Sequence, residues 1–389
     1  MKLILKKILF YFTHFIILLI NKIPLFKNFK LFEIDSTRVG HMVLETEIFY
    51  KESEESIIYF IFFERVSNVY FLKLFLEKIN KKRTIIVLPF GFVWKKVCDN
   101  YYLFTKKSMQ TKIMNMRKKF NYLNDDIPFL SIPEKDSKKG YKILKKFGMK
   151  ENDKWICVYN RDEAYLKKYY KNFDTTYHNY RNFPVKDLEK AINLFIKKEY
   201  FVIRVGSESI GKLNINSHRY FDYSKSNIKS DFMDCFILSK CEMFFGGTSG
   251  ICNLPISFRR PYFLVNVTPL ESVFAIKKIY PVIFKRLADI KTNKVLTISK
   301  MIKRDVCNLS KEEEFRLKNV RNIDNTEDEI EELAIESLNI IENKNIKKSE
   351  TQILKQNLLE LEVRKDPLIK NLEYHNPVGL KFLEQTLIN

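Results

Sequence analysis

Two apolar stretches of this chain each end in an arginine, and they decide how it folds. The first is WICVYNRD, residues 155–162, and the second is YFVIRVG, residues 200–206. Short apolar runs separated by a helical segment predict parallel strands of an α/β sheet. Ligands of such sheets bind at the carboxyl ends of the strands. Because an arginine fork matches a phosphate group, Arg161 and Arg204 indicate an anionic, phosphate-bearing ligand.

The same alternation of strands and helices extends over most of the chain. Strands are predicted at 31–34, 57–63, 84–88, 243–245 and 262–265, the last of these being the final clear strand. Helices are predicted at 42–50, 70–79, 92–104 and 231–240.

Composition shifts divide the predicted elements into domains. Prolines and a charged run at 125–150 predict a linker, with a short helix at 141–147. We therefore expect an α/β fold with two domains, 28–124 and 151–308, followed by a charged helical extension over 309–389.

The composition excludes some protein classes. The chain has 389 residues, of which 46% are hydrophobic, so it is not a disordered protein. Its formal net charge of +21 suits a nucleic acid or an anionic membrane, and a lysine-rich composition bias explains it equally well. No basic run interleaved with aromatics forms a nucleic-acid-binding module, so we expect no nucleic-acid partner.

Metal and cofactor motifs are missing from the sequence. The six cysteines are scattered without a C-x-x-C pair, and the five histidines lack metal-ligand spacing. The motifs D-x-D, G-x-G-x-x-G, G-x-x-x-x-G-K-[ST] and G-x-S-x-G do not occur. Scattered cysteines in a chain of this length indicate reduced thiols in the cytosol. We therefore expect a cytoplasmic protein with no metal ion and no resident cofactor.

Residues 1–27 combine an apolar run at 8–20 with lysines on both sides. The run is shorter than the roughly 20 residues that cross a bilayer, and no small-residue cleavage site follows it. It fits either a helix in the interface of the anionic cytoplasmic leaflet or a first helix packed on the protein. We expect the former, which makes the protein peripheral to the inner face of the cytoplasmic membrane.

The segment GGTSG, residues 246–250, follows a predicted strand and precedes a helical pattern. Its glycines allow backbone N–H groups to approach a phosphate closely. Gly247, Thr248, Ser249 and Gly250 are therefore predicted to contact the ligand. The alternative is that Ser249 only caps the helix.

Three other residues complete the predicted donor site. They are Arg181, Gly206 and Asp222, which lie in loops near the ends of the predicted strands. The two arginines beside Arg161, namely Arg181 and Arg204, fit charges at a domain interface equally well.

Two side chains are candidates for the catalytic base. His41 follows Gly40 in the first turn of the first domain, where an imidazole could take a proton from a substrate hydroxyl. Asp162 is adjacent to Arg161 and could orient it or act as a base. The alternatives are a turn histidine bound to backbone and an Arg–Asp pair at the surface.

The ordered set of motifs resembles a largely uncharacterised family of bacterial glycosyltransferases that occur among surface-polysaccharide genes. Arg161, Asp162 and Tyr165 match the RD-x-x-Y signature of that family. Further matching segments follow in the same order at 180–181, 202–206, 222–224, 230–234 and 247–250. Residues 38–41 are similar to the first-domain turn of the family, so the match spans residues 30–305.

The resemblance implies a GT-B architecture, in which two Rossmann-like domains face a cleft. It also implies a nucleotide-sugar donor held mainly by the second domain, without an essential metal. A fainter likeness to fucosyltransferase-like enzymes covers the strand that ends at Arg161. Asn160 departs from the residue that those enzymes often carry, which leaves the donor sugar open.

The predicted function is therefore sugar transfer from a nucleotide-sugar donor to a surface-glycan acceptor, either free or lipid-linked. Arg161 and Arg204 would offset the charge of the departing diphosphate. The alternative is a catalytically inactive nucleotide- or sugar-binding component of a glycan assembly complex.

Overall fold

The computed structural model describes residues 29–105, 125–150, 152–169, 174, 176–270, 272, 280–344, 346–366 and 377–386. The chain divides into two compact units, Met1–Tyr122 and Leu123–Asn389. The predicted membrane-associating segment, residues 1–27, lies outside the described residues. Among the helices within the described ranges, none combines the length and the apolar character needed to cross a bilayer.

The first unit contains a parallel sheet whose described strands run in the order β1-β2-β3. Each strand is followed by a helix, which confirms the predicted alternation. The strands are β1 Phe29–Ile34, β2 Ile58–Phe63 and β3 Thr84–Val87. The helices are α1 Val39–Glu52, α2 Val69–Ile79 and α3 Gly91–Thr105.

Aromatic side chains hold the helices of the first unit on its sheet. The ring of Phe49 on α1 lies 4.4 Å from that of Phe32, 5.0 Å from Tyr59 and 6.5 Å from Phe75. Burying side chains of this size stabilises the unit by about 1.5–3 kcal/mol each. Asn68 caps α2 by accepting a 2.7 Å hydrogen bond from the backbone N–H of Phe71.

The second unit is built on a six-stranded sheet within its described residues, and all the strands run parallel. The strands are β4 Trp155–Tyr159, β5 Phe201–Arg204, β6 Tyr220–Asp222, β7 Met243–Gly247, β8 Tyr262–Val267 and β9 Val282–Phe284. Their order is β6-β5-β4-β7-β8-β9. Numbered within this unit, that is the 3-2-1-4-5-6 order of a doubly wound Rossmann sheet, and the order reverses between β4 and β7.

Helices surround this sheet, and a small antiparallel pair of strands adjoins it. The helices are α4 Glu134–Lys145, α5 Ala164–Tyr169, α6 Glu189–Lys197, α7 Asp231–Lys240, α8 Asn253–Ser257, α9 Ile298–Lys303, α10 Glu312–Leu317, α11 Glu327–Ile341, α12 Glu350–Val363 and α13 Leu380–Gln385. The antiparallel strands are β10 Arg286–Asp289 and β11 Val320–Ile323.

Parts of the predicted linker and extension are packed into the second unit. Helix α4 begins at Glu134 rather than at 141, and the Tyr141 ring lies 5.2 Å from Phe236. Gly140 allows this contact, because a Cβ there would come within 2.5 Å of the Phe236 ring. Few apolar residues mark the helix, so the sequence pattern missed its start.

The chain also forms strands where the sequence predicted none. Segment 220–222 is a strand, so Asp222, which was predicted to lie in a loop, ends that strand. Strands β9, β10 and β11 follow the strand that was predicted as the last. These strands have only three or four residues each, too few for the alternation pattern to identify. Strand β11 lies within 309–389, so that segment, which was predicted to be helical, is not purely helical.

Candidate functional site

The carboxyl ends of β4 and β7 lie side by side at the point where the strand order reverses. The two strands pair in parallel, with Tyr159 opposite Gly246. A Cβ on Gly247 would stand 3.6 Å from the backbone nitrogen of Arg161 and 2.5 Å from the Phe183 ring. The glycine turn therefore lies directly against the loop that carries Arg161. Ligands of doubly wound sheets bind at this point.

Arg161 and Arg181 bring two positive charges together at these strand ends. Arg161 is only 5% exposed and donates Nη1 to the His178 carbonyl at 3.1 Å and to the Asn182 side chain. The pKa of Arg161 is lowered to about 10, mainly by burial and secondly by the positive charge of Arg181. Two neighbouring guanidinium groups repel each other, and an anion bound between them removes that repulsion.

Arg181 lies close to the segment that follows β7. Burial raises the pKa of the Cys252 thiol to about 11, and the charge of Arg181 opposes that rise. The Nε of Arg181 is enclosed and has no hydrogen-bond partner among the residues that the structure describes. The guanidinium carbon stands 5.6 Å from the centre of the Tyr180 ring. An anionic ligand would satisfy this donor; the Nε of Arg204 is also enclosed and without a partner among the described residues, so this feature does not by itself separate the two arginines.

Ser249 is engaged with its own surroundings. Its side chain accepts a 3.4 Å hydrogen bond from the backbone of Ile251 and caps the 3₁₀ segment Gly250–Cys252. Burial raises the pKa of the Tyr159 hydroxyl, and its interaction with the Ser249 side chain opposes that rise. The predicted helix after the turn is short, consisting of this 3₁₀ segment and α8. These contacts agree with the alternative prediction, in which Ser249 serves as a helix cap. Thr248 beside it is half-exposed.

Lys285 is a third cation near Arg161, and the sequence reasoning missed it. It follows β9, is 5% exposed, and donates 2.7 Å bonds to the Asn182 carbonyl and to Asp324. Burial lowers the pKa of Lys285, and the charge of Arg161 contributes to that lowering. Its position directly after the apolar run Val282–Phe284 resembles that of Arg161 after β4. That was the available signal, and it was lost because no strand was expected there.

Arg204 lies at the end of β5, on the other side of β4 from the glycine turn. Its side chain is 1% exposed and is held by four acceptors. These are the Ile210 carbonyl at 2.8 Å, the Asn160 side chain at 3.0 Å, the Gly211 carbonyl at 3.1 Å and the Asp222 carboxylate at 3.2 Å. The Tyr220 hydroxyl also lies beside the guanidinium. Arg204 is therefore enclosed by its acceptors, whereas the side chain of its ion-pair partner Asp222 is 21% exposed.

Asp162 ties two loops together. One carboxylate oxygen accepts a 2.9 Å bond from the backbone of Ala164 at the start of α5. The other accepts a 2.7 Å bond from the backbone of Ile210. Gly206 follows β5 with φ +139°, a conformation that favours glycine. Both residues shape the loops beside Arg204, and the Asp162 carboxylate is also an opposite charge beside Arg161, whose lowered pKa it partly offsets.

His41 lies in the first unit, at the start of α1, between two carboxylates. Its Nδ1 is 3.5 Å from Asp35 and 3.5 Å from Glu45. The hydrogen bond to Glu45 raises the pKa of His41; burial opposes the rise and Asp35 adds to it. Glu45 is itself buried and also accepts a 2.8 Å bond from the backbone of Asp35. The carboxylates hold a proton on Nδ1, which leaves Nε2 to accept one.

These three side chains are also the types that bind metal ions. The ligand atoms of Asp35, His41 and Glu45 all lie within 4.8 Å of one another. Glu45 stands four residues after His41, a spacing that places both on one face of the helix. That spacing was the signal that the sequence reasoning overlooked.

Comparison with known proteins gives one similar solved structure. No protein-family model and no curated protein matches the chain. The solved structure is described as "The crystal structure of the glycosyl transferase family 9 from Veillonella parvula DSM 2008". The match has 12% identity and a TM-score of 0.36, and it covers 61% of this chain and 80% of that chain. At this identity and TM-score, the likeness establishes neither the fold nor the function of this chain.

Proposed function

We propose that the protein is a glycosyltransferase whose second unit binds the diphosphate of a nucleotide-sugar donor beside Arg161 and Arg181. The observation that carries the proposal is the pair of like charges at the switch point of the Rossmann sheet. It lies against the Gly247 turn, where a backbone without a Cβ permits close approach of a phosphate.

The two arginines have a chemical role in group transfer. When the acceptor hydroxyl attacks the anomeric carbon of the donor, the bond from that carbon to the phosphate oxygen breaks. The leaving diphosphate takes the bonding electrons and gains negative charge. Fixed guanidinium groups stabilise this developing charge without having to reorganise. Arg204, held by its four internal acceptors, supports the Asn160 and Asp222 side chains and does not touch the donor.

His41 is the base in this proposal. The acceptor hydroxyl passes its proton to Nε2, while Asp35 and Glu45 stabilise the imidazolium that forms. Asp162 is less suited to the role, because backbone N–H groups already occupy both of its oxygens. The proposal further includes a GT-B arrangement of the two units, independence of metal ions, and a glycan or lipid-linked glycan acceptor at the cytoplasmic membrane face.

Two measurements test the proposal in sequence. The first records thermal unfolding of the protein with UDP-, GDP-, CMP- and dTDP-linked sugars. A ligand at 100 times its Kd stabilises the native state by about 2.7 kcal/mol, so binding raises the midpoint. The second follows nucleotide release and sugar transfer to an acceptor panel, with and without EDTA. The control is Arg161→Met in both assays.

We expect one nucleoside diphosphate sugar to stabilise the wild type but not Arg161→Met, and transfer to persist in EDTA. Stabilisation without nucleotide release on any acceptor would favour the alternative, a catalytically inactive binding component. Loss of activity in EDTA, restored by a divalent ion, would contradict metal independence and point to the group formed by Asp35, His41 and Glu45.

A further inference from the structure

The segment LPFGFVWKK, residues 88–96, contains the turn after β3 and the start of α3 in the first unit, and it exposes two phenylalanine rings. The exposed fraction is 70% for Phe90 and 61% for Phe92. The ring centres lie 6.5 Å apart with an interplanar angle of 82°. Large aromatic side chains are normally buried, so two adjacent exposed rings indicate a surface that contacts something else.

The backbone of this turn is built to hold the rings outward. Phe90 has φ +56°, a left-handed conformation that is costly for a bulky residue. A Cβ on Gly91 would lie 1.7 Å from the Phe63 carbonyl oxygen, so only glycine lets the turn sit this close to β2. Close packing at Gly91 thus fixes the turn on the sheet while Phe90 and Phe92 project from it.

Neighbouring side chains extend the exposed surface and give it a charge. Val93 on α3 and Ile86 and Val87 on β3 are each about two-fifths exposed, at 40%, 42% and 43%. Lys96 is exposed one helical turn after Phe92, on the same side of α3. Lys95, which precedes it, is paired with Glu33 and Asp99.

We propose that this aromatic turn is a membrane-contacting element that inserts Phe90 and Phe92 into the interface of an anionic bilayer. Apolar rings without hydrogen-bonding groups fit the boundary between headgroups and acyl chains, and the exposed Lys96 fits anionic lipid headgroups. Trp94, two residues further along, is half-buried and belongs to a residue type that favours this interface. The inference does not depend on the proposed transferase activity.

Trp94 also provides a reporter for the test. The protein has two tryptophans, and the other, Trp155, is 3% exposed and hydrogen-bonds the Ile237 carbonyl. The full chain is mixed with vesicles of phosphatidylcholine alone or with one quarter phosphatidylglycerol. Partition is measured by sedimentation, and insertion by quenching of tryptophan fluorescence with lipids spin-labelled near the headgroup.

Three variants make the test specific. Phe90→Ser/Phe92→Ser removes both rings, and Lys96→Glu reverses the charge while keeping them. Leu317→Ser, at a residue that is 73% exposed in the second unit, is the matched control. All of these positions are exposed, so we expect native circular dichroism from each variant.

We expect the wild type to bind anionic vesicles and to be quenched at Trp94. The double variant loses that quenching and partitions about 10-fold or more weakly, as removal of two apolar rings predicts. Lys96→Glu weakens partition on anionic vesicles by a few-fold, and Leu317→Ser leaves both readouts unchanged. Wild-type quenching in the double variant would overturn the inference, as would equal binding to vesicles without phosphatidylglycerol. Self-association that is lost in the double variant, without vesicle binding, would assign the surface to a second copy of the chain and also overturn it.

Discussion

Arg161 and Arg204 occupy comparable places in sequence and topology, yet their surroundings differ. Each stands at or just beyond the end of a buried strand, and those strands, β4 and β5, are neighbours in one sheet. Arg204 faces the carboxylate of Asp222 and three other oxygen acceptors. Arg161 lies near two cations, Arg181 and Lys285, of which Lys285 is paired with Asp324, and near the Asp162 carboxylate, whose oxygens accept backbone N–H bonds.

The difference follows from which side of the switch point each arginine faces. Between β4 and β5 the chain continues its winding, and the loops close over Arg204. Between β4 and β7 the winding reverses, and ligands of doubly wound sheets bind at such a point. A buried charge that has its counter-charge in the protein serves the fold, and we propose that a bound anion balances the like charges beside Arg161.

We expect the largest effect from Arg204→Met, which tests whether Arg204 stabilises the fold. Removing one partner of a buried ion pair destabilises a protein by about 3–5 kcal/mol, since the remaining polar groups lose their compensation. Urea unfolding of the ligand-free protein measures this. A loss below about 1 kcal/mol would contradict the structural role of Arg204, because surface pairs typically contribute that little.

Gly247→Ala tests the crevice itself. The added Cβ meets the Phe183 ring, which is buried, and overpacking of this kind costs about 1–3 kcal/mol. We expect both stability and nucleotide affinity to fall. The matched rescue is Gly247→Ala/Phe183→Leu, in which the smaller side chain makes room for the Cβ. If Gly247→Ala/Phe183→Leu recovers neither stability nor nucleotide affinity, the contact with the Phe183 ring is not the cause of the loss.

Lys285→Met tests whether Lys285 helps to position Arg161, because both side chains donate hydrogen bonds to Asn182. The variant loses the bond to the Asn182 carbonyl and leaves Asp324, which is partly exposed, in water. We expect nucleotide affinity to fall roughly 5- to 10-fold, or about 1–1.4 kcal/mol, with KM rising more than kcat falls. Lys285→Arg, which keeps a donor, should recover part of the loss. Equal kinetics in Lys285→Met and wild type would remove Lys285 from the site.

The smallest effect concerns His41, whose counter-charges lie within the first unit. Glu45→Gln removes the main cause of the raised pKa of His41, so that pKa falls. The acidic limb of the transfer rate should then shift to lower pH, because the neutral imidazole persists further down. Proton NMR titration of the histidine ring checks the pKa directly. An unchanged His41 titration would show that Glu45 does not control it.

The same raised pKa has a defined sign for stability. Native His41 holds its proton more tightly than the unfolded chain does, so its stabilising contribution is complete below the unfolded pKa near 6.5. That contribution is lost as pH rises through the higher native pKa. Glu45→Gln should remove this part of the pH dependence of unfolding.

The sequence was sufficient for the features that depend on local pattern. Apolar runs predicted strands β4, β5 and β7, and Arg161 and the glycine turn were placed next to them. It could not separate Arg161 from Arg204, because the strand order that gives them different neighbours is a property of the folded sheet. Lys285 escaped notice because its strand has three residues. The carboxylates around His41 could be predicted only by combining the helical spacing of Glu45 with the loop residue Asp35.

The central claim is that the Arg161–Arg181 pair exists to bind a diphosphate, and Arg181→Met tests it most directly. Two quantities are measured on the same variant: the Kd for a nucleoside diphosphate by calorimetry, and the free energy of unfolding without ligand. Since hydrogen bonds to charged groups contribute about 1.5–3 kcal/mol, we expect Kd to rise by about 10- to 100-fold. The ligand-free protein should be as stable as the wild type or more so, because repulsion with Arg161 is gone. An unchanged Kd, or a loss of stability comparable to that of Arg204→Met, would contradict the account.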